Sequence, residues 1–600
     1  MKRISPVILL CLALPTILAL AILAEQGQDS DRRPARMEKT ELNLDSNKPG
    51  DRGKLLALVR QGYRPGFARS ATIAAVLHSV GIDPGKPVTV LVPLTPASVE
   101  EPTTPTKFPP DKLKSDLDFL LRTLEDVHPD LYRYRSRPEI YEMKQRIERS
   151  LTEPLTRIDF YRRVAPLVSA FGDGHTSITY PVEELNEYLG RGGRLFPLET
   201  RIVGDSNRLF VVLDYSGEIP PGSEIVGLNG LSISKLTADL ANYVSGEKLS
   251  YRLGLVNTNL RALLWFVYGA EDFRLKYVTP SGEAFEKQIN GLTRDELTRR
   301  AIEIQKTRTE KQQPQPQQEE QSQPEEQPRS KIQYPYYSYT SRPDLKTAII
   351  DFRSFQDPKT FNAFLQQAFT DLKEQRMEKL IIDLRQNGGG NSALGDALLG
   401  YLTDKPWRQF SKIELKVSKQ IKDYYRDPLP VLKRLYPQSY ETVYQSSKDW
   451  YRSTYEEISS TPDGQLFTSY PEEQQPAENP LRFRGQVYVL IGQRTFSSAV
   501  NLAATIKDYK LGILVGEETG GLATQFGDIY SFWVPNTGLQ LGVSHKKFYR
   551  PNGQDDGRGV LPDIEVKTTT EDLLKGRDPV MACIFSKVTL KPKGTKPKGT

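Results

Sequence analysis

From Tyr334 onward, short apolar strands alternate with amphipathic helices, a pattern that predicts an α/β layered domain. The strand KTAIIDF is followed by a helix that starts at Asp357-Pro358, an N-cap residue followed by a residue suited to the first turn. The later strands are KLIIDL, QVYVLIG and LGILVGE, and the helices between them are SALGDALLGYL and SAVNLAATIKD. We therefore predict that residues 334–585 form this domain.

A tyrosine-dense insertion interrupts the layered domain at residues 405–480. Insertions of this length over the mouth of a domain are often lids or binding loops, and the sequence leaves its role open. Its tyrosines are Tyr424, Tyr425, Tyr436, Tyr440, Tyr444, Tyr451, Tyr455 and Tyr470.

Two smaller domains are predicted before the layered one. An i, i+3, i+4, i+7 stripe of leucines predicts a helical domain at residues 111–180. Strand-like runs such as RLFVVLDY and SEIVGLNG, separated by glycine and proline, predict a mostly β module at residues 195–295. The leucines of the stripe are Leu117, Leu120, Leu121 and Leu124.

Polar segments join and flank these domains. Residues 304–333 are rich in Gln, Pro and Glu and have almost no apolar side chain, which predicts a disordered linker. Residues 25–110 form an N-terminal extension to which the sequence assigns no role, and residues 586–600 form a basic tail.

Residues 1–24 have the pattern of an export signal, a short cationic start followed by an uncharged apolar run. Ala19-Leu20-Ala21 fits a cleavage site, although the run of about 18 residues is also just long enough to span a bilayer. We therefore predict an exported protein that is periplasmic, extracellular or anchored facing outward. Contact with a membrane is expected only if the signal is not cleaved.

The net charge of +6 is located at the two ends of the chain. Lys2, Arg3 and the four lysines of the terminal repeat KPKGTKPKGT account for all of it, so the body of the protein is neutral. A nucleic-acid-binding protein would be expected to have its excess positive charge on a folded face. The charge distribution therefore gives no support to that class.

The sequence has no pattern for metal or thiol chemistry. Its four histidines form no HExxH motif, and the GxSxG motif of α/β-hydrolases is absent. Cys583 is the one cysteine outside the export signal, so the mature chain has neither an internal disulfide nor a thiolate metal site. We predict no metal and no cofactor. The histidines are His78, His128, His175 and His545.

Three segments contain residue types that catalyse acyl transfer. In FGDGHTSI, His175 follows Gly-Asp-Gly in a turn that can present an imidazole. In LIIDLRQNGGGNSALGDAL, an apolar strand ends in three glycines, residues 388–390, whose backbone can aim N–H groups at a ligand. In RTFSSAV, Ser497 and Ser498 follow a buried strand and start a helix, whose free N–H groups favour developing negative charge.

Each segment also has a purely structural interpretation. His175 can be a packing residue, the glycines can be a tight strand-to-helix connection, and Ser497 can be an N-cap. The three segments together, in this order, favour a catalytic site.

These motifs resemble those of the carboxy-terminal-processing, or tail-specific, serine peptidases, in the branch that includes the tricorn protease core and the retinoid-binding modules of the same fold. The resemblance extends from about residue 111 to residue 566. It implies a crotonase/ClpP-like catalytic domain, an N-terminal helical domain with the catalytic histidine, and a PDZ-like module that captures a peptide end or an extended strand. The matching stretches are EDVHPDLYRY, FGDGHTSI, PPGSEIVGLNG, IIDLRQNGGG, TFSSAV, GEETGG and GVLPDIEV.

The resemblance places the nucleophile at Ser497 and the oxyanion donors at the N–H groups of Ser498 and of the glycine loop, Gly388 and Gly389. Many family members use a lysine base shortly after GEETGG, but this chain has Leu-Ala-Thr at residues 522–524.

The tricorn-like branch uses a histidine in the segment that matches FGDGHTSI, which makes His175 the general base. An acid before the GVLPDIEV motif orients it, and Asp556 occupies that position, where the branch more often has Glu. Asp555 and Glu518 are the alternatives.

The combined expectation is an exported serine endopeptidase that hydrolyses proteins or peptides through an acyl-enzyme. Two other classes remain open at this stage. One is a non-catalytic protein of the same fold that binds peptides or a hydrophobic ligand. The other is an acyl-CoA enzyme of crotonase type, against which the export signal argues, since CoA chemistry is normally intracellular.

Overall fold

The structure, a computed structural model, describes residues 37–42, 88–93, 106–203, 208–311 and 331–589. The chain divides into two compact units, Met1–Thr106 and Lys107–Thr600. In the first unit, β1 (Met37–Leu42) and β2 (Val88–Pro93) form an antiparallel pair. The predicted export signal and most of the N-terminal extension and basic tail lie outside the described residues.

The second unit begins with a helical region. The leucine stripe is buried along one face of the first helix, which confirms the helix predicted from its spacing. A capping box between Ser136 and Glu139 starts the second helix, and Thr156 caps the third. The elements are β3 (Lys107–Phe108), α1 (Pro110–Val127), α2 (Arg137–Ser150), β4 (Leu155–Thr156), α3 (Arg157–Ser169), β5 (Ser177–Ile178) and α4 (Val182–Gly190).

A mostly antiparallel β module follows, with a hydrophobic core of its own. Its elements are β6 (Arg194–Leu195), β7 (Leu198–Val203), β8 (Arg208–Asp214), β9 (Glu224–Leu228), β10 (Leu231–Ser232), α5 (Ile233–Ala241), α6 (Leu249–Tyr268), β11 (Asp272–Val278), β12 (Ala284–Asn290), β13 (Leu292–Thr293) and α7 (Arg294–Lys311). The main sheet has the strand order β12-β11-β9-β8-β7, so β12 and β7 are its edges.

Helix α6 covers one of these edges. Asn257 Oδ1 accepts a hydrogen bond from the backbone N–H of Ile202 on β7 at 2.9 Å. Arg261, which is buried on the same helix, donates from Nε to the carbonyl of Phe196 at 2.7 Å and from Nη2 to that of Leu198 at 3.5 Å. A peptide strand could therefore pair with β7 only after these contacts with α6 are released, a restriction that the sequence did not predict.

The predicted linker at residues 304–333 is shorter in the structure. Helix α7 begins after a capping box between Thr293 and Glu296 and continues to Lys311. Residues 331–333 form a strand, and the middle of the predicted linker lies outside the described residues.

The remaining residues form the layered domain. Its main sheet has the strand order β14 (Lys331–Gln333), β15 (Tyr337–Arg342), β16 (Thr347–Phe352), β17 (Lys379–Asp383), β20 (Gln486–Ile491), β21 (Ile513–Gly516) and β24 (Ile564–Glu565). The strands from β16 onward are parallel, which confirms the predicted α/β domain. Asp357 caps α8 through its side chain, as expected from Asp-Pro. The elements before the insertion are β14 (Lys331–Gln333), β15 (Tyr337–Arg342), β16 (Thr347–Phe352), α8 (Pro358–Glu374), β17 (Lys379–Asp383) and α9 (Ala393–Leu399).

The tyrosine-rich insertion contributes two strands to a second sheet, which has the strand order β19 (Leu466–Ser469), β18 (Lys412–Lys416), β23 (Gln540–Tyr549) and β22 (Gln525–Trp533). It contains β18 (Lys412–Lys416), α10 (Lys419–Arg426), α11 (Leu429–Leu435), α12 (Tyr440–Ile458) and β19 (Leu466–Ser469). After it come β20 (Gln486–Ile491), α13 (Ser498–Asp508), β21 (Ile513–Gly516), β22 (Gln525–Trp533), β23 (Gln540–Tyr549), β24 (Ile564–Glu565), α14 (Thr570–Leu574) and α15 (Pro579–Thr589). No helix among the described residues is long and apolar enough to cross a membrane.

Candidate active site

Ser497 stands at the junction between the parallel sheet and helix α13. The buried strand β20 ends at Ile491, a short turn follows, and α13 begins at Ser498. Ser497 has φ +54° and ψ −127°, a backbone conformation that is costly for a residue with a side chain. Such strain often marks a functional residue, and here it places the hydroxyl beside the free N–H groups of a helix start.

The structure brings His175 to Ser497, although 322 residues separate them in the chain. Nε2 of the imidazole lies 3.0 Å from Oγ of Ser497, within hydrogen-bond distance. The ring stacks on Phe496 with its centroid 4.6 Å away. Burial lowers the pKa of His175, although the carboxylates of Asp173 and Asp528 partly oppose this effect. The imidazole is therefore neutral near pH 7 and can accept a proton from Ser497.

Asp173 is the carboxylate nearest to the second ring nitrogen of His175. Its Oδ1 lies 3.9 Å from Nδ1 of the ring and accepts the backbone N–H of His175 at 3.0 Å. Its Oδ2 accepts hydrogen bonds from His128 Nε2 and from the hydroxyls of Thr176 and Ser544. Burial raises the pKa of Asp173, but the hydrogen bond and charge of His128 outweigh this and hold it well below the usual range. Asp173 is thus a buried, stabilised anion beside the imidazole.

A second buried carboxyl group, Glu247, lies close to the same turn. Its Oε2 is 3.2 Å from the position that a Cβ on Gly174 would occupy. Neither carboxyl oxygen makes a hydrogen bond of ordinary geometry within the described chain. Burial and the charge of Asp173 raise the pKa of Glu247 to about 8, so it is mainly neutral at pH 7.

The structure does not bring Asp556 to His175, which corrects the predicted orienting acid. Asp556 is exposed, and its carboxylate accepts the backbone N–H of Arg558 at 3.0 Å, which closes a local turn. No side chain in the described ranges forms a hydrogen bond with Nδ1 of His175.

The two alternative acids are also engaged elsewhere. Asp555 pairs with Arg133 at 3.0 Å and with Lys547 at 2.7 Å. Glu518 pairs with Lys248 at 2.9 Å and accepts the N–H of Gly559 at 2.8 Å. Each carboxylate is therefore held by cations or backbone groups of its own surroundings rather than by the imidazole.

The glycine loop presses directly against the serine turn. A Cβ on Gly389, which has φ +94°, would lie 2.6 Å from Cβ of Ser497 and 2.8 Å from the backbone nitrogen of Ser498. The Ser498 hydroxyl donates to the carbonyl of Gly390 at 2.6 Å. The loop and the start of α13 therefore form one packed unit around the Ser497 hydroxyl.

Only some of the predicted oxyanion donors are free. The N–H of Gly389 donates to Oδ1 of Asn387 at 2.8 Å, so it is not available to a substrate. The N–H groups of Gly388 and Gly390 make no hydrogen bond within the described part of the chain, and that of Ser498 lies in the first turn of α13. The structure therefore argues against Gly389 as an oxyanion donor. The N–H groups of Gly388, Gly390 and Ser498 remain candidates for that role.

No group of three or more His, Cys, Asp or Glu side chains that could hold a metal ion occurs among the described residues.

A sequence model described as Peptidase family S41 matches residues 346–566, which include the glycine loop and Ser497. Residues 346–566 are therefore an S41-type peptidase domain. Peptidases of family S41 are serine peptidases. His175 and Asp173 precede the S41 domain in the chain, so the candidate site joins that domain to the helical region.

Two relatives match at the level of sequence. The tail-specific protease of Haemophilus influenzae is 26% identical over 206 residues, which are 33% of this chain and 22% of that protein. The chloroplastic C-terminal processing peptidase of Tetradesmus obliquus is 26% identical over 212 residues, 34% of this chain and 33% of that protein. The matched stretch thus spans a third or less of either relative's length.

The similarity to solved structures extends over most of the chain. The crystal structure of mature CPAF superposes with a TM-score of 0.57 at 16% identity, covering 80% of this chain and 97% of that one. The chain therefore shares its fold with a known protein well beyond the boundaries of the S41 domain.

The sequence did not indicate two residues that form hydrogen bonds within this site, Asp173 and Asn387. Both lie in the motifs that predict the site, FGDGHTSI and IIDLRQNGGG, within two residues of a predicted site residue. A polar residue next to a functional turn often forms hydrogen bonds with that turn, and this signal could have found them.

We expect Gly389→Ala to unfold more easily and to lose most activity. A methyl group there would overlap the Ser497 turn at 2.6 Å, and φ +94° is unfavourable for alanine. Overpacking and backbone strain together predict a loss of about 2–4 kcal/mol in the free energy of unfolding. Chemical denaturation measures this loss. Gly388→Ala is the matched control for stability, because nothing lies within 4 Å of its Cβ position. Equal stability of the two variants would contradict the close approach.

Proposed function

We propose that the protein is an exported serine endopeptidase that uses Ser497 as the nucleophile and His175 as the general base. The observation that carries this proposal is the 3.0 Å contact between Oγ of Ser497 and Nε2 of His175 beside the glycine loop of an S41 domain. Export is proposed because residues 1–24 have the pattern of a signal peptide. The substrates are proteins or peptides, in keeping with the family.

The first half of the reaction forms an acyl-enzyme. Ser497 Oγ attacks the carbonyl carbon of the peptide bond while His175 Nε2 takes the hydroxyl proton. The carbonyl oxygen becomes an oxyanion, which the N–H of Ser498 and a free N–H of the glycine loop stabilise by hydrogen bonds. The C–N bond then breaks, and the imidazolium returns its proton to the leaving amine.

The second half of the reaction releases the acyl group. Water attacks the ester on Ser497, His175 accepts its proton, and the same N–H groups hold the second oxyanion. When the ester C–O bond breaks, the proton returns to Ser497 Oγ and the enzyme is regenerated. In both halves the imidazole becomes positively charged, and Asp173 is the buried anion placed to stabilise that charge.

Internally quenched peptides and a denatured protein substrate test the proposed activity. We expect turnover with internal cleavage products, identified by mass spectrometry, and no turnover by a variant that lacks the Ser497 hydroxyl. Stoichiometric binding of peptides without any cleavage would instead support a non-catalytic protein of the same fold.

The pH dependence of kcat/KM should report the lowered pKa of His175. Only the neutral imidazole can accept the serine proton, so activity is retained above the pKa of His175 and lost as the pH falls through it. Because burial lowers that pKa, we expect the acid limb to have its midpoint below about 6.5, the ordinary value for histidine. A midpoint well above that value would contradict the assigned environment of His175.

We expect activity to be insensitive to chelators and to the replacement Cys583→Ser. The proposed mechanism uses a hydroxyl and an imidazole, and Cys583 lies on α15, which contributes no residue to the candidate site. Initial rates after dialysis against EDTA measure the first effect. Loss of turnover that zinc restores would contradict the serine mechanism.

A further inference from the structure

Asn387 is buried in the turn between strand β17 and the glycine loop, and each of its polar atoms makes a hydrogen bond. Its Nδ2 donates to the carbonyl of Phe352 at 2.7 Å, and its Oδ1 accepts the N–H of Gly389 at 2.8 Å. Its backbone N–H donates to the carbonyl of Leu384 at 3.0 Å, and its own carbonyl accepts the N–H of Phe496 at 3.0 Å. One residue therefore ties together the end of β16, the glycine loop and the serine turn.

These bonds determine which amides of the loop remain free. The side chain of Asn387 accepts the N–H of Gly389, so this N–H cannot bind an oxyanion. The N–H groups of Gly388 and Gly390 have no partner in the described chain. The hydrogen bond from the Phe496 N–H fixes the residue immediately before Ser497. Ser497 has a φ of +54°, a strained conformation that its surroundings must support. The loop and the strained serine are thus fixed by the same side chain and peptide unit.

We propose that Asn387 is a positioning residue that holds the glycine loop in the shape needed to stabilise the oxyanion. This inference rests on the proposed function. An oxyanion hole accelerates the reaction because its donors are already in place when charge develops, so a loop that must reorganise loses this advantage. Replacing Asn387 by alanine leaves the Phe352 carbonyl and the Gly389 N–H buried without a hydrogen-bond partner. Because unpaired buried polar groups are costly, the loop then favours a different conformation.

The test compares Asn387→Ala with Asn391→Ala, an asparagine at the other end of the same loop. The Asn391 side chain is exposed and caps the start of α9 by accepting the N–H of Ala393 at 3.0 Å. For Asn387→Ala we expect kcat to fall about 10²-fold, as when one oxyanion donor is removed, with KM nearly unchanged. The inhibition constant of a peptide aldehyde, which forms a tetrahedral adduct with the serine, should rise by a similar factor. Asn391→Ala should change neither quantity by more than about threefold.

If Asn387 had only a structural role, its replacement would not lower kcat and aldehyde affinity while leaving KM nearly unchanged. Unchanged kcat in folded Asn387→Ala, or an equal rise in KM and in the aldehyde constant, would overturn the inference. Circular dichroism shows whether the variant folds.

Asn387→Asp keeps the inference falsifiable if the alanine variant does not fold. A carboxylate can still accept the Gly389 N–H, but only the protonated acid can donate to the carbonyl of Phe352. Burial raises the pKa of such an aspartate, so the ratio of variant kcat to wild-type kcat should rise as the pH falls from about 8 to about 6. A ratio that stays flat or falls contradicts the proposed role.

The experiments distinguish a failure of this inference from a failure of the proposed function. If Ser497→Ala still hydrolyses peptides, the proposed function is wrong. If Ser497→Ala is inactive while folded Asn387→Ala has wild-type kcat, only the role of Asn387 is wrong.

Discussion

Replacing Ser497 by alanine should abolish peptide hydrolysis while leaving the fold intact. The hydroxyl forms the acyl-enzyme, and no other described hydroxyl contacts Nε2 of His175. Loss of the corresponding serine in subtilisin lowers kcat about 10⁶-fold, and we expect a loss of that order here. Removing one hydroxyl changes little packing, so the unfolding temperature should stay close to that of the wild type.

Ser498→Ala is the matched control for this prediction. Its proposed contribution is a backbone N–H, which alanine retains, while its hydroxyl donates to the Gly390 carbonyl at 2.6 Å and supports the loop. We expect a loss of about tenfold, consistent with one buried hydrogen bond of about 1–1.5 kcal/mol. If Ser498→Ala were inactive and Ser497→Ala active, the nucleophile would be assigned one residue too early.

The second large effect concerns the acid that supports His175. Asp173→Asn removes a buried charge 3.9 Å from Nδ1 of the ring. At that distance an effective dielectric constant of about 20 gives an attraction of about 4 kcal/mol for the imidazolium, or roughly 10³-fold in kcat. Loss of the anion also disfavours the imidazolium in the free enzyme, so the acid limb of kcat/KM should move to lower pH.

Asp556→Asn is the control, because the exposed Asp556 carboxylate serves only a local turn with Arg558. We expect it to keep nearly wild-type kcat and an unshifted acid limb. Circular dichroism must show that Asp173→Asn is folded, since Asp173 also accepts bonds from His128 and Ser544. A severe loss for Asp556→Asn, with Asp173→Asn close to wild type, would restore the orienting role to Asp556.

Local patterns were enough to predict the parts of the site that each lie within one short segment. A buried strand followed by a glycine loop, and a buried strand followed by Ser-Ser at a helix start, depend only on neighbouring residues, and the structure contains both local arrangements. The contact of His175 with Ser497 was expected from the resemblance, since no local pattern joins two residues that are 322 positions apart.

The acid that we propose to stabilise the imidazolium of His175, Asp173, could not be predicted in this way, because its environment depends on distant contacts. Asp173 is buried and charged only because Ser544, 371 residues later on β23, and His128 on the helical region donate to it. Asp556 lies in a loop in which Arg558 pairs with Glu518, a detail of side-chain geometry that sequence spacing does not contain.

The β module shows a similar limit. The alternation of its strands was evident, but the cover of β7 by Asn257 and Arg261 depends on the packing of α6, which the sequence pattern does not specify. The predicted linker was too long for a related reason, because α7 continues to Lys311 through a segment of low hydrophobicity, an extent that the composition did not indicate.

Labelling with a fluorophosphonate tests the central claim most directly. The reagent phosphonylates a serine that a neighbouring base activates, so its target reports the nucleophile itself. We predict one adduct, located by mass spectrometry on the peptide that contains Ser497, abolished in Ser497→Ala and strongly slowed in His175→Ala. An adduct on another residue, or hydrolysis of peptides by a preparation that does not react with the reagent, would contradict the assignment.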